Sequence, residues 1–339
     1  MASYQAVSIL HGGPNTQLRM TARYLRPFGI EARLFDPWER FSKGEADLFH
    51  IFAANIGTYH LAREVKALGI PLVVSPIIYT LHSREFVKAG LFMTRLLQKA
   101  WKGIWSDYGL TADICNWASA VLPNSSAEGE LLVKGLGVDP AKVHVVPNGV
   151  EERFYGADPS LFKAKYGLEH FILNVGHTGH ERKNVLSLIK ALGRIDHPSV
   201  IIGRIINSSY GEACVQEAKK HKQILLINGL DHDSEVLASA YAASDVFVLP
   251  SLFETPGISA LEAGLAGAKV VITGEGGTRE YFQDMAIYVD PSSVDSIHNG
   301  IIRALKEAKD DRLRNHIKNE FLWPRIAEKT AKVYRSILG

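Results

Sequence analysis

The chain has 339 residues, of which 46% are hydrophobic and 22% charged, and its formal net charge at pH 7 is +2. This length predicts about two domains, and the composition is that of an ordinary globular protein. The small net charge gives no support for nucleic-acid binding, and no apolar run reaches the length of a membrane span.

The cysteines and the first residues indicate the compartment. Cys115 and Cys214 are the only cysteines, and neither belongs to a CxxC pair. The first residues lack a basic segment followed by an apolar core, so we expect no secretion signal. Together these features predict a cytoplasmic protein without structural zinc or a disulfide framework.

Short apolar runs alternate with longer amphipathic segments along the chain, which predicts an α/β protein with parallel sheets and crossover helices. In the first half we predict strands at residues 6–10, 32–35, 48–52, 72–75, 120–122 and 143–146. Helices are predicted there at residues 16–25 and 127–136, and residues 124–126 supply an N-cap for the second helix.

The second half repeats the alternation. Strands are predicted at residues 171–175, 200–202, 224–227, 246–249, 270–273 and 287–289. Helices are predicted at residues 185–192, 234–242, 259–265 and 296–308. A last helix at 325–337 either stands alone or crosses back to the first domain.

Two features of the first half have a plain and a functional interpretation. Gly12 and Gly13 follow the first predicted strand, where an ordinary turn and a phosphate-binding loop are equally compatible with the pattern. Residues 91–105 alternate apolar side chains such as Phe92 with basic ones such as Lys99. A core-packed helix with a solvated basic face is the common meaning, and peripheral contact with a membrane is the alternative.

The loop after the strand at 171–175 contains a basic pair. Gly176 ends the strand, and Arg182 and Lys183 stand just before the next helix. Two cations there are unfavourable against the helix dipole, so a bound anion explains them better than a solvated surface does. Histidines in the same loop lack a carboxylate or thiolate partner at ligand spacing, so we predict no metal site.

Residues 253–262 form the most informative stretch, because two glutamates bracket a strand-loop-helix junction. Glu254 lies in the loop and Glu262 in the first turns of the helix, with Gly257 between them. Unpaired amides at the helix start favour an anion, and a glycine permits its close approach. The plain alternative is that each carboxylate only interacts favourably with the helix dipole at the N-terminus. That alternative explains Glu262 alone better than it explains both glutamates.

This pair of glutamates, with seven residues between them, resembles the signature of the retaining nucleotide-sugar glycosyltransferases of family 4. Similar surroundings extend the resemblance: the connection at 146–150, the element at 182–184, the lead-in at 240–245 and the glycine-rich loop at 276–280. The resemblance implies a GT-B fold, in which two Rossmann-like, doubly wound domains face an interdomain cleft. Residues 1–160 would bind the acceptor and residues 161–321 the nucleotide sugar, with a helix at about 322–339 packed back on the first domain.

The resemblance also implies residue roles. Arg182 and Lys183 would stabilise the leaving diphosphate, Glu254 would contact the donor sugar and support the cationic transition state, and Glu262 would bind the ribose. The other donor contacts would be Gly12, Gly13, Gly176, Asn228, Leu230, Thr255, Pro256, Gly257, Ile258 and Ser259.

Two positions depart from the family pattern. His177 stands where many relatives have an arginine, and Ile77 or Ile78 stands where many have a histidine. No acceptor-side catalytic residue is therefore predicted. Residues 231–233 mimic the metal-binding acids of the other major glycosyltransferase fold, but their place before a helix predicts that they cap it.

The resemblance and these features together predict a metal-independent glycosyltransferase without a cofactor, and retention at the anomeric carbon is what the resemblance implies. It would move a sugar from a nucleotide-diphosphate sugar to a hydroxyl of a glycan, glycolipid or small-molecule acceptor, as in the synthesis of bacterial surface polysaccharide. A nucleotide-sugar epimerase of the same fold and a non-catalytic nucleotide-sugar-binding protein are the alternatives. The expected location is the cytoplasm, with the inner face of the membrane as an alternative.

Overall fold

A computed structural model describes residues 1–10 and 12–339 of the chain. These residues form two compact units, one of residues 1–149 with 323–339 and the other of residues 150–322. We call them the N-terminal and the C-terminal unit.

The N-terminal unit contains four parallel strands in the order β1-β2-β3-β4. Their bounds are Ala2–Ser3, Phe49–Phe52, Leu72–Ser75 and Ala120–Val121. The helices are α1 (Val7–Leu10), α2 (Gly13–Leu25), α3 (Ile56–Ala67), α4 (Arg84–Ala100), α5 (Asp107–Trp117) and α6 (Ser126–Glu130). Every residue of β2 and β3 is buried, which fits parallel strands covered on both faces.

The strand predicted at residues 6–10 is wrong, because the chain there forms α1. The N–H of Val7 donates to the Tyr4 carbonyl at 3.0 Å, which begins a helical turn. The strand lies earlier, where Ala2 and Ser3 pair with Ile51 and Phe52. An apolar run of five residues does not distinguish a strand from a buried helix by periodicity.

Two other predicted strands are too weakly paired to form. In residues 32–35, the Phe35 N–H donates to the Met1 carbonyl at 2.8 Å, but no ladder follows. In residues 143–146, Val143 forms only an isolated bridge with Val121. The predicted N-cap of the 127–136 helix is confirmed, since the Ser125 side chain accepts from the Glu128 N–H at the start of α6. That helix continues as a π-helical turn, Leu131–Gly135.

The C-terminal unit contains six parallel strands in the spatial order β7-β6-β5-β8-β9-β10. Their bounds are β5 Ile172–Val175, β6 Ser199–Ile202, β7 Ile224–Ile227, β8 Val246–Leu249, β9 Lys269–Thr273 and β10 Ile287–Val289. The helices are α7 (Ser160–Tyr166), α8 (Val185–Leu192), α9 (Ser209–Ala218), α10 (Glu235–Ala243), α11 (Ile258–Leu265), α12 (Thr278–Phe282), α13 (Val294–Lys306) and α14 (Arg312–Glu320). All six strands predicted for this half are present.

The strand order of the C-terminal unit reverses between β5 and β8, which are hydrogen-bonded neighbours although β6 and β7 separate them in the chain. Helices leave the two strands in different directions at such a point, and this opens a crevice at the carboxyl ends. The fold therefore places a potential ligand-binding site beside the loops that follow β5 and β8.

The C-terminal unit begins at Val150, eleven residues earlier than the domain predicted at 161. The N–H of Val150 donates to the Phe321 carbonyl at 2.8 Å, and Val150 forms a bridge with Leu322. Phe154 is fully buried, with its ring 5.5 Å from that of Tyr241. These contacts bind residues 150–154 to the second sheet's helices.

The last helix, α15 (Trp323–Leu338), lies in the N-terminal unit. Its Tyr334 hydroxyl is 2.5 Å from Nδ1 of His50 in β2, and Nε2 of His50 is 3.0 Å from the Ser75 hydroxyl in β3. Burial holds the pKa of His50 well below its usual value, so this link is a neutral hydrogen-bond chain. Among residues 1–10 and 12–339, no helix has both the length and the hydropathy that crossing a bilayer requires.

Candidate active site

The loops after β5 and β8 are tied together by Asn184. This residue has a left-handed backbone with φ of 55° and stands between the 3-10 turn Glu181–Lys183 and α8. Its buried side-chain amide donates to the carbonyls of Pro250 at 3.0 Å and Pro291 at 2.7 Å. The tie fixes where the preceding basic pair points, because the turn cannot move independently of the β8 loop.

The basic pair converges on Glu254. Lys183 Nζ lies 2.5 Å from Glu254 Oε1, and Arg182 Nη1 lies 3.4 Å from the same oxygen. Arg182 also donates to the Phe253 carbonyl at 3.1 Å. Lys183, Arg182 and Glu254 together carry a formal net charge of +1.

Burial disfavours the charged forms of Lys183 and Glu254. Burial alone raises the pKa of Glu254, but Lys183 and Arg182 outweigh it and hold the pKa below its usual value. Burial lowers the pKa of Lys183, and the attraction of Glu254 offsets this only in part. A second anion beside Lys183 and Arg182 would stabilise both cations.

The N-terminus of α11 adjoins Glu254 in the chain. Gly257 precedes the helix with φ of 83°, and a Cβ there would lie 2.9 Å from Leu249 Cδ2. In the described part of the chain no side chain caps this helix. The N–H groups of Ala260 and Leu261 donate to the Gly257 carbonyl, whereas no backbone acceptor among the described residues pairs with those of Gly257, Ile258 and Ser259.

The Glu254 backbone is fixed by the loop after β9. Its N–H donates to the Glu275 carbonyl at 3.2 Å, and its carbonyl accepts from the Gly277 N–H at 2.9 Å. A Cβ on Gly276 would lie 2.2 Å from the Glu254 carbonyl oxygen, so only glycine allows this approach. The carboxylate is therefore placed by backbone contacts on both sides.

Glu262 is held by a different set of partners. Its Oε1 lies 2.8 Å from His232 Nε2, and its Oε2 accepts from the Tyr241 hydroxyl at 2.7 Å. The hydrogen bond to Glu262 raises the pKa of His232 to about 9, so the imidazole is protonated at neutral pH. The carboxylate is thus oriented by one cation and one neutral donor.

Sequence reasoning missed the role of His232. The residue lies 30 positions from Glu262, and only the fold brings the loop after β7 beside α11. The prediction that residues 231–233 cap the next helix is wrong, because the Ser234 side chain accepts from the Val236 N–H at the start of α10.

Three residues of this region place one potential metal ligand each within 4.8 Å of one another: Glu151, His232 and Asp233. In this structure the three side chains belong to an ion-pair network around His232, which lies 3.4 Å from Asp233, 4.0 Å from Glu151 and 2.8 Å from Glu262. Glu151 also accepts from Arg153 at 3.3 Å.

The structure brings only some of the predicted donor contacts together. Arg182, Lys183 and residues 254–259 lie at the strand-order reversal, and a Cβ on Gly176 would be 3.9 Å from Lys183 Cδ. Asn228 and Leu230 follow β7 at the edge of the sheet, where Asn228 Oδ1 accepts from the Ile205 N–H at 2.9 Å.

Gly12 and Gly13 belong to the N-terminal unit. Gly12 precedes α2 and Gly13 is its first residue, but the element before them is α1 and not the predicted strand. His11 of the same motif lies outside the described residues.

The loop after β3 contains Ile77 and Ile78. Ile77 has φ of 52°, and the Ile78 N–H donates to Glu128 Oε1 at 2.7 Å. Glu128 is buried and accepts from the Asn124 N–H through its other oxygen, also at 2.7 Å. These contacts shape the backbone at the strand end, and they assign no side chain to acceptor chemistry.

Two family models together match most of the chain. Residues 17–154 match the model described as Glycosyltransferase Family 4, and residues 162–320 match Glycosyl transferases group 1. The chain belongs to glycosyltransferase family 4. It is a glycosyltransferase, as the paired glutamates and their surroundings predict.

Similar proteins support the same family. An uncharacterized glycosyltransferase of Methanocaldococcus jannaschii is 28% identical over 287 residues, which are 77% of this chain and 69% of that protein. The UDP-Gal:α-D-GlcNAc-diphosphoundecaprenol α-1,3-galactosyltransferase of Escherichia coli is 27% identical over 323 residues, covering 89% and 78%.

The solved structure of HepE from Anabaena in complex with UDP and glucose has the same fold as this glycosyltransferase. The TM-score is 0.72 at 18% sequence identity, and the match covers 96% of each chain. The predicted α/β architecture with two Rossmann-like domains of GT-B type is confirmed.

Proposed function

We propose that this glycosyltransferase moves a sugar from a nucleoside-diphosphate sugar to an acceptor hydroxyl, with retention at the anomeric carbon. The observation that carries the proposal is the convergence of Lys183 and Arg182 on Glu254, at the strand-order reversal. The uncapped N-terminus of α11 lies in the same loop region and adds unpaired amides. The likeness to HepE, solved with UDP and glucose, supports a nucleotide-sugar donor.

In this proposal the cluster stabilises the leaving group. Breaking the bond between sugar and phosphate develops negative charge on the diphosphate, beside Lys183, Arg182 and the amides of residues 257–259. These groups are already fixed by Asn184 and the α11 backbone, so little reorganisation opposes the reaction. The same cations take the role that a metal ion would have, and we therefore propose that transfer needs no metal.

Glu254 would hold the sugar. Its carboxylate is fixed between the cations and the β9 loop, and a carboxylate accepts hydrogen bonds from sugar hydroxyls. Its negative charge also stabilises the cationic sugar of the transition state. The leaving phosphate oxygen takes the acceptor's proton in a retaining transfer of this kind, so no side-chain base is required.

Glu262 would hold the ribose. Both oxygens already accept one hydrogen bond, from His232 and Tyr241, and each oxygen can accept a second one. The two protein donors fix the direction of the remaining lone pairs. Ribose hydroxyls are donors that fit them, and Asn228 and Leu230 at the end of β7 are our proposed contacts for the base.

The acceptor is proposed from the relatives. The Escherichia coli enzyme is named for an acceptor with a diphosphoundecaprenol anchor, and it matches 89% of this chain. We propose a glycan or glycolipid acceptor and a role in surface polysaccharide synthesis. Cys115 and Cys214 are both free and buried, which supports a reducing cytoplasm as the location.

Product analysis tests the proposal. The protein is incubated with a panel of nucleotide sugars, with and without candidate acceptors, and the products are identified by NMR. We expect a glycoside with the anomeric configuration of the donor, formed in the presence of a chelator. An inverted product would contradict retention, and a donor epimerised without acceptor would favour the epimerase alternative.

A further inference from the structure

The outward side of α4 is apolar. Four large side chains on it are half or more exposed: Phe86 57%, Phe92 67%, Met93 51% and Leu96 50%. Their spacing of three, four and seven residues places them on one side of the helix. We call these four residues the α4 face. Trp101 and Trp105, which follow the helix, are 61% and 56% exposed.

The opposite side of α4 is already occupied. Val87 is fully buried and Thr94 is 9% exposed, with its hydroxyl 3.1 Å from that of Ser106. Gln98 donates to the Ile104 carbonyl at 2.9 Å, and Arg95 forms a salt bridge with Asp113. These contacts fix the rotation of the helix about its axis. This rotation turns the side chains of the α4 face toward solvent.

The apolar side of an amphipathic helix usually faces the core, whereas the α4 face is exposed to solvent. Among the described residues, eight of the seventeen exposed large apolar side chains lie in residues 79–105, so exposed apolar side chains are concentrated in this segment. Scattered apolar side chains are normal on a surface, but a contiguous patch marks an interaction site. The sequence pattern commonly indicates a helix packed into the core. Core packing does not explain these side chains, because they are exposed.

The charges beside the patch are positive. Lys88, Lys99 and Lys102 are exposed, and none of them has a hydrogen-bond or ion-pair partner in the part of the chain that the structure describes. Glu85 is the only acid in residues 84–105, and Arg84 pairs with it at 2.8 Å. The unpaired charge next to the α4 face is therefore that of three lysines.

We propose that the α4 face, with Trp101 and Trp105, docks on an anionic lipid bilayer. Apolar side chains would enter the boundary between headgroups and acyl chains, and the lysines would contact lipid phosphates. Tryptophan favours this interfacial depth. The docking surface is independent of the proposed donor chemistry, because all of its residues lie outside the candidate active site.

A bilayer fits the face better than a second copy of the chain. A symmetric dimer would place the same three lysines against each other or at the edge of one small interface, and lysine is depleted from interface cores. Anionic lipids instead supply opposite charge to every lysine.

Vesicle co-sedimentation tests the proposal, with vesicles of phosphatidylcholine alone and of phosphatidylcholine with phosphatidylglycerol. We expect the full chain to bind the anionic vesicles, and Phe92→Glu with Leu96→Glu to lower the partition coefficient about a hundredfold. The matched control is Leu34→Glu with Leu161→Glu, which adds the same charge at side chains 51% and 44% exposed. An equal loss of vesicle binding in both double variants would overturn the proposal. Wild-type protein that does not bind anionic vesicles would overturn it as well.

The lysines are tested separately. Replacing Lys88, Lys99 and Lys102 by Gln should weaken binding to anionic vesicles by about tenfold or more and remove its salt dependence. Size-exclusion chromatography with light scattering checks the competing occupant, and a dimer broken by Phe92→Glu with Leu96→Glu would overturn bilayer docking. Donor hydrolysis by the same variant should equal that of wild type, which separates this test from that of the donor site.

Discussion

Two regions of the molecule depart from the usual distribution of side chains in opposite directions. At the strand ends of the C-terminal unit, Glu254 and Glu262 are only 6% and 4% exposed, whereas Phe92 on α4 is 67% exposed. Buried charge is unfavourable unless it is paired, and an apolar patch is unfavourable until something covers it. The carboxylates have charged or hydrogen-bonding partners within the chain, whereas Phe86 of the α4 face has a ring contact with His82, at a centroid distance of 4.4 Å, and its face otherwise points to solvent. Substitutions at the carboxylates should thus affect folding and chemistry together, while those on α4 should affect neither.

The largest effect is expected from Lys183→Met. Loss of the ammonium removes charge beside the leaving diphosphate, and among the described residues the longer contact to Arg182 is then the remaining ion pair of the buried Glu254. We expect kcat to fall about a thousandfold and the free energy of unfolding to fall by about 3 kcal/mol. Steady-state kinetics and urea unfolding measure the two losses. Lys190→Met, at an exposed lysine of α8, is the control and should change neither.

The double variant Lys183→Met with Glu254→Gln separates folding from chemistry. Neutralising both partners removes the unpaired buried charge, so the free energy of unfolding should return to within about 1 kcal/mol of wild type. Activity should stay as low as in Lys183→Met. Recovery of activity together with stability would show that the pair is only structural.

Gly257→Ala tests the approach to the α11 N-terminus. The new Cβ would meet Leu249 Cδ2 at 2.9 Å, in a backbone with φ of 83°. Gly167 has φ of 67°, and a Cβ added to it would have no neighbouring atom within 4 Å among the described residues, so Gly167→Ala introduces the strain without the contact. We expect Gly257→Ala to destabilise the protein by about 2 kcal/mol and Gly167→Ala by about 1 kcal/mol, with donor binding reduced only in the former.

His232 should give the protein a pH dependence. Its pKa of about 9 in the folded chain exceeds the unperturbed value of about 6.5, so its pair with Glu262 stabilises the fold fully below pH 6.5. That stability is lost as the pH rises through 9. The imidazole is 37% exposed, so screening reduces the effect to about 1 kcal/mol. Denaturant unfolding of wild type and His232→Gln at pH 6.5 and pH 10 should show the loss in wild type alone.

The smallest effect is expected on α4. Phe92→Glu with Leu96→Glu changes exposed side chains without described partners, so the free energy of unfolding should stay within about 0.5 kcal/mol of wild type. Urea unfolding measures it. A loss comparable to that of Lys183→Met would mean that the α4 face is packed in solution.

The strands of the C-terminal unit were predictable because each is a short, apolar run in a parallel sheet. The first strand of the N-terminal unit was not, since Ala2–Ser3 has two residues and the longer run after it forms α1. β4 also has only two residues, Ala120–Val121, and it was predicted, so the misleading feature near the N-terminus is the apolar run that forms α1.

The part of the candidate site that consists of local sequence motifs was predictable. Lys183 and Glu254 each follow a strand, and adjacent strand ends bring them together. The contact of His232 with Glu262 depends on how the β7 loop folds over α11, which no local pattern records. The outward rotation of α4 depends likewise on the tertiary contacts of Thr94, Arg95 and Gln98.

Calorimetric titration of nucleoside diphosphates tests the central claim most directly. UDP, GDP, ADP, CDP and TDP, and the matching nucleosides, are titrated into wild type and Lys183→Met. We predict that the diphosphate with the fitting base binds wild type and loses about a hundredfold in affinity in the variant, while the nucleoside binds both equally. Equal diphosphate affinity in the two proteins would contradict the account, because Lys183 would then not hold the diphosphate.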